Sequence, residues 1–321
     1  MRLINTQTLE LHEFFDTRTP PYAILSHTWG EGEITSQDWL YSNSQRLPGT
    51  SALSEGDINL LKSKAGYIKT TSACRQASLD SCDWIWIDTI CIDKKSSAEL
   101  SEAINSMFKW YTNAVVCYAF LADVSNLTLE ACHASDSRFR RSRWFERGWT
   151  LQELIAPKKL DFYSEHWSKI GSKQDLSDLI EEITKVPKTC LHNSNVLPSY
   201  TIAAKMSWAS RRITSRTEDI AYCLLGIFRV QMPLLYGEGG KNAFIRLQEE
   251  IMKESTDHSL FAWRRWPPGE SESQSTEDPL AWGILATHPS QFEDAASVGH
   301  ISAISSPYSM TSSGLRIKLP V

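Results

Sequence analysis

The stretch WIWIDTICI, residues 84–92, is almost unbroken in apolar side chains and carries Asp88 and Cys91 towards its end. A short apolar run rich in aromatic and β-branched residues reads as a strand with both faces covered. Asp88 then sits where a carboxylate can reach a ligand hydroxyl. A buried Asp satisfied by backbone N–H groups is the competing reading. Upstream, YAILSHTW (22–29) is a second run, ending in Ser26, His27 and Trp29 and followed by Gly30. Downstream, AVVCYAFLADV (114–124) and KLDFYSEHW (159–167) supply two more. In open α/β sheets, ligands collect beyond the carboxyl ends of strands. Ser26, His27, Trp29 and Asp88 all fall at such ends.

Helical segments lie between the runs. SSAELSEAINSMFKWY (96–111) opens with Ser96 and Glu99 in capping-box spacing and carries a stripe of Ala103, Met107 and Trp110 or Tyr111. SKQDLSDLIEEIT (172–184) also starts like a capped helix, with Ser172 and Asp175. Strand–helix alternation of this kind predicts an α/β layer with a mostly parallel sheet. From about residue 200 the pattern turns helical, in IAAKMSWASRR, TEDIAYCLLGIF and KNAFIRLQEEIMKE. The polar stretch RRWPPGESESQSTEDP (264–279) predicts a mobile loop, and LAWGILA, HISAIS and GLRIKLPV predict short strands after it. The expected division is an α/β core over 1–200, a helical part over 201–257 and a β-rich extension over 258–321.

Composition narrows the function classes. The chain has 321 residues, 41% hydrophobic, and a net charge of -5 with both signs mixed. That balance does not suit bulk nucleic-acid or membrane binding. Seven cysteines show no regular spacing and no His pair stands at ligand spacing, so reduced thiols in a cytoplasmic protein are expected, with no metal. No apolar run is long enough to cross a bilayer. The N-terminus lacks a signal-peptide pattern. Twelve tryptophans are enough for some to line a pocket.

RGWTLQELIAP (147–157) places Trp149 and Glu153 four residues apart before a terminating Pro157. On a helix, Leu151, Leu154 and Ile155 define the core face and Glu153 points away from it. The bland reading is a solvated Glu beside a half-buried Trp. Ahead of it, SRFRRSRWFER (137–147) carries Arg138, Arg140, Arg141, Arg143 and Arg147, either a solvated run or a clamp for an anion. LLYGEGGKNAF fails the phosphate-loop pattern, because Leu235 and Asn242 stand where Gly and Ser/Thr belong, and reads as a glycine turn feeding a helix. Cys91 with His27, or Ser26 with a His and an Asp, would be nucleophilic arrangements, the latter without a nucleophile-elbow sequence.

Three ordered blocks, YAILSHTWG, WIWIDTICID and RGWTLQE, resemble the HET (heterokaryon incompatibility) domain of filamentous fungi. Tyr22, Leu25, Ser26, Trp29 and Gly30 match its first block. Trp86, Ile87, Asp88, Cys91 and Ile92 match the second. Arg147, Trp149, Gln152 and Glu153 match the third. Lys94 departs from the pattern, standing where the second block usually has Gln. The similarity continues through TEDIAYCLLGIF, PLLYGEGGKNAF and DHSLFAW.

The order of blocks is also similar, more distantly, to TIR domains, which implies a TIR-like (flavodoxin-like) α/β fold. Some TIR domains cleave NAD+, with a Glu at the place that Glu153 occupies here. The resemblance therefore implies a cell-death effector, with NAD+ or a related nucleotide as substrate and no bound cofactor. It also implies self-association or a partner incompatibility or immune-receptor protein. Glu153 would be catalytic, Trp29 or Trp149 would stack on a ring, and Ser26, His27, Gly30, Asp88 and Cys91 would form the polar wall. Arg143 or Arg147 would meet the pyrophosphate. The alternative class is a non-catalytic self-assembly or adaptor module.

Overall fold

A computed structural model describes residues 1–15, 18–43, 54–125, 127–264, 283–299, 308–311 and 314–317. The chain packs as two compact units. One comprises Met1–Trp144 with Ala156–Leu176, and the other Phe145–Ile155 with Ser177–Val321.

The first unit is built on a seven-stranded sheet. Its strands are β1 (Arg2–Asn5), β2 (Leu11–Glu13), β3 (Ala23–His27), β4 (Trp84–Trp86), β5 (Val116–Phe120), β6 (Leu160–Tyr163) and β7 (Lys169–Ser172). They lie in the order β2-β1-β4-β3-β5-β6-β7. The four central strands β4, β3, β5 and β6 run parallel, and β1, β2 and β7 pair antiparallel at the edges. Every residue of β3, β5 and β6 is buried, as nearly continuous apolar sequence requires when helices or loops cover both faces. The winding direction reverses at β3, which has β4 on one side and β5 on the other.

Among the described residues, the α-helices of this unit are α1 (Ser36–Ser42), α2 (Glu55–Ser63), α3 (Ala65–Leu79), α4 (Asp88–Cys91) and α5 (Ser97–Asn113). The run 84–92 is therefore a three-residue strand followed by one helical turn, and Asp88 opens that turn. On α5 the buried stripe is Ala103, Ile104, Met107 and Tyr111. The Tyr111 hydroxyl donates to the Leu25 carbonyl of β3 at 3.0 Å, which fixes the helix against the sheet. The expected capping box is half formed. Ser96 accepts from the Glu99 N–H, but the Glu99 carboxylate turns to the Asp93 N–H and to Arg2.

The second unit contains α6 (Thr150–Ile155), α7 (Ser177–Thr184), α8 (Lys188–His192), α9 (Ile202–Ser207), α10 (Asp219–Tyr222), α11 (Leu225–Phe228) and α12 (Gly240–Glu254), and a hairpin of β8 (Ser309–Thr311) and β9 (Gly314–Arg316). Ser172 and Asp175 bond reciprocally as a capping box would, yet the turn they close precedes α7, which begins at Ser177. Residues 283–286 form no strand, in contrast to the expectation for LAWGILA. Instead Gln248 on α12 exchanges two hydrogen bonds with the Ala286 backbone. The expected mobile loop at 264–279 lies, after Arg264, outside the described residues, as does HISAIS. No helix among the described residues is long and apolar enough to cross a membrane.

Candidate functional site

β3 delivers Ser26 and His27 to opposite faces of the sheet, because successive strand side chains alternate. Ser26 is fully buried, and its hydroxyl accepts the Trp144 indole N–H at 2.8 Å. Sequence reasoning placed both residues in one polar wall. The strand separates them, and Ser26 packs inside.

His27 anchors a buried chain of polar groups. Its Nε2 lies 2.8 Å from Asp88 Oδ1 and its Nδ1 lies 2.6 Å from Lys69 Nζ. Lys69, on α3, also donates to Glu33 Oε1. The Trp29 indole N–H donates to the other Asp88 oxygen at 2.9 Å, and Lys94 Nζ lies 3.9 Å from that oxygen. An ammonium facing Nδ1 makes that nitrogen an acceptor, which leaves the ring proton on Nε2, pointing at Asp88. The imidazole is neutral. Burial and the nearby Lys69 charge push its pKa down, against Asp88 and Glu33, which pull it up. For Asp88, burial opposes ionisation. The hydrogen bond from His27, the nearby Lys94 charge and the Trp29 N–H outweigh it and hold the carboxyl below its ordinary range. With Glu33 and Asp88 negative and Lys69 and Lys94 positive, the network is neutral overall.

This network backs a cleft of about 580 Å³ beyond the carboxyl ends of β3 and β4. Trp29, Glu33, Thr89 and Lys94 line it, with Arg2 and Lys95 adding positive charge and Asp38 and Asp93 negative charge. Trp29 is 41% exposed, so its ring is open to a ligand in the cleft. Glu33 Oε2 and Thr89 Oγ1 are buried and have no hydrogen-bond partner among the described residues. A polar ligand carrying a ring and hydroxyls matches such a lining. The Gly30 N–H donates to Glu33 Oε1, so Gly30 helps to place the carboxylate. Glu33, Lys69, Thr89 and Arg2 escaped sequence reasoning, although Glu33 stands only four residues beyond Trp29 in the loop after β3.

Cys91 does not line this cleft. It is buried, its sulfur accepts the Ile87 N–H at 3.4 Å, and burial pushes its pKa up to about 12. Arg143 is exposed beside Asp123, and its backbone N–H donates to that carboxylate at 2.8 Å.

In the second unit every residue of α6 is buried. The core face is as expected, with Leu151, Leu154 and Ile155 fully enclosed. Glu153, expected to look away from the core into an open pocket, is also enclosed at 7% exposure. It lies in the field of Arg212, whose guanidinium binds the Arg147 carbonyl and the Thr150 hydroxyl. Trp149 is half-buried, and its indole N–H donates to Asp219 at 3.1 Å. Tyr236 donates to the other Asp219 oxygen at 3.0 Å. The blocks RGWTLQE, TEDIAY and LLYGEGG thus meet at one carboxylate. Burial raises its pKa, against the pull of those two hydrogen bonds.

The comparisons with known proteins agree with the first two blocks. The heterokaryon incompatibility protein (HET) family matches residues 22–138, and a domain of unknown function, DUF8212, matches residues 242–321. The vegetative incompatibility protein HET-E-1 of Podospora anserina is 42% identical over 241 residues, which is 74% of this chain. The chain spans 16% of that relative's length. No solved structure matches. The strand-end blocks, the cleft residues they place and this relative together establish that the chain belongs to the HET (heterokaryon incompatibility) family.

Proposed function

We propose that the chain is the effector module of an incompatibility response that ends in cell death, and that it cleaves NAD+ or a related nucleotide. The observation that carries the reading is the cleft beyond β3 and β4, where an exposed Trp29, a Glu33 carboxylate with one buried, unpartnered oxygen, and the side chains of Arg2, Lys94 and Lys95 converge beside Asp38 and Asp93. Incompatibility comes from the name of the relative, and NAD+ from the TIR resemblance.

The chemistry is simple to state. The bond between ribose C1′ and the nicotinamide nitrogen breaks, and nicotinamide leaves neutral with the electron pair. Positive charge develops on the ribose, as in glycoside cleavage, and needs a carboxylate nearby. Water then adds at C1′ and loses a proton, giving ADP-ribose. The resemblance assigns the carboxylate to Glu153, whereas the cleft presents Glu33. Trp29 would stack on a ring and Arg2 and Lys95 would meet phosphate.

A second reading, non-catalytic self-assembly, is favoured by the burial of Glu153 beside Arg212. Nicotinamide release and a melting curve for wild type, Trp29→Ala, Glu33→Gln and Glu153→Gln decide between them. Removing the stabilising charge should slow release by about 10²–10³ in a folded variant. Full activity in both glutamine variants would exclude both carboxylates. No release by the wild type would leave self-assembly.

A further inference from the structure

Lys94 folds back over the cleft, and its ammonium lies 3.2 Å from the Trp29 ring centroid. The same ammonium is 3.9 Å from Asp88 Oδ2, the oxygen that accepts the Trp29 indole N–H. An aromatic face with a carboxylate at its edge attracts cations twice, through the ring quadrupole and through charge. Lys69 is committed behind this pair, to His27 and Glu33. Lys94 stands on the loop after α4, with its side chain about a third exposed.

We propose that Trp29 and Asp88 form a subsite for a planar cationic ring, and that Lys94 is its tethered resting occupant, which the ligand must displace. The inference deepens the nucleotide reading of the cleft and rests on it for the ligand's identity. The nicotinamide ring of NAD+ is cationic, whereas that of NADH is neutral. A subsite of this kind therefore separates the two by charge, and Lys94 sets the threshold for entry. A ligand that must displace an internal competitor binds more weakly by the fraction of time the site is free.

The probes are 1-methylnicotinamide, a planar cation, and nicotinamide, its neutral counterpart. Their binding to the full chain is measured by calorimetry for wild type, Lys94→Gln and Lys94→Met, with melting curves as fold controls. Both Lys94 variants should bind the cation roughly tenfold more tightly, the size of one partly desolvated cation–π contact. Nicotinamide, without the charge that Asp88 and the ring face attract, should bind more weakly than the cation in wild type and in both variants. Adding Trp29→Ala to Lys94→Met should reverse the gain. Unchanged cation affinity in both variants, or a neutral ring bound as tightly as the cation, overturns the proposal. No bond breaks in this assay, so its outcome is separate from NAD+ cleavage. Tightening without nicotinamide release from NAD+ would keep the subsite and remove the hydrolase.

Discussion

His27 holds its proton on Nε2 because Lys69 presses an ammonium against Nδ1. Its folded pKa lies below the ordinary value near 6.5, so between those two values the unfolded chain binds more protons than the folded one. Stability should fall as pH drops through about 6.5 and below. Asp88 is also depressed, and its contribution is present above the ordinary carboxylate value, about 4, and is lost on further acidification. Melting temperature measured from about pH 8 downward should decline in two limbs, and His27→Gln should flatten the upper one. A wild-type profile flat between pH 7 and roughly 5 would contradict the neutral histidine. Glu153 makes a second case. It shares its surroundings with the buried Arg212, whose pKa burial lowers to about 10. Glu153→Gln should destabilise the chain by about 1–3 kcal/mol, the cost of disturbing the partners of a buried polar group. Denaturant midpoints check this, and an unchanged midpoint would return Glu153 to a solvated role.

α3 shows how an element positions the cleft. A Cβ at Gly66 would fall 2.8 Å from the Gly32 carbonyl oxygen and the Glu33 Cα, so the helix meets the loop after β3 at van der Waals limits. Lys69 stands one turn on, on the same face, and reaches Glu33 and His27. Gly66→Ala should push the loop away and cost about 1–3 kcal/mol, the range for overpacking, with weakened ligand binding in the cleft. Wild-type stability and binding in that variant would contradict the close approach. This helix was hard to read in the sequence, because its buried stripe is Gly66, Lys69, Thr70, Ala73, Cys74 and Ala77, small or polar residues with little hydrophobic contrast. The central strands were legible because burial on both faces leaves continuous apolar runs. The antiparallel edge strands β1, β2 and β7 are four residues or fewer and carry no such run. α6 was legible as a helix and misread in its setting. Periodicity reports which face is apolar, but a six-residue helix enclosed on every side has no solvent face to report.

Across the whole chain, the sequence leaves and re-enters each compact unit, since Phe145–Ile155 packs with the residues after Leu176. The HET family match ends at residue 138 and so contains Ser26, His27, Trp29, Asp88 and Lys94 but not Glu153. The strand-end blocks therefore carry the family identity, and the cleft behind them carries the proposed chemistry. TIR-like sites are often completed by a second subunit, and a HET module acting in the same way would work better when concentrated. The most direct test is to incubate the purified chain with NAD+ over a dilution series and quantify nicotinamide and ADP-ribose. Both products should form in equal amounts, with turnover per molecule rising with protein concentration. The absence of nicotinamide at every concentration from a folded chain would contradict it.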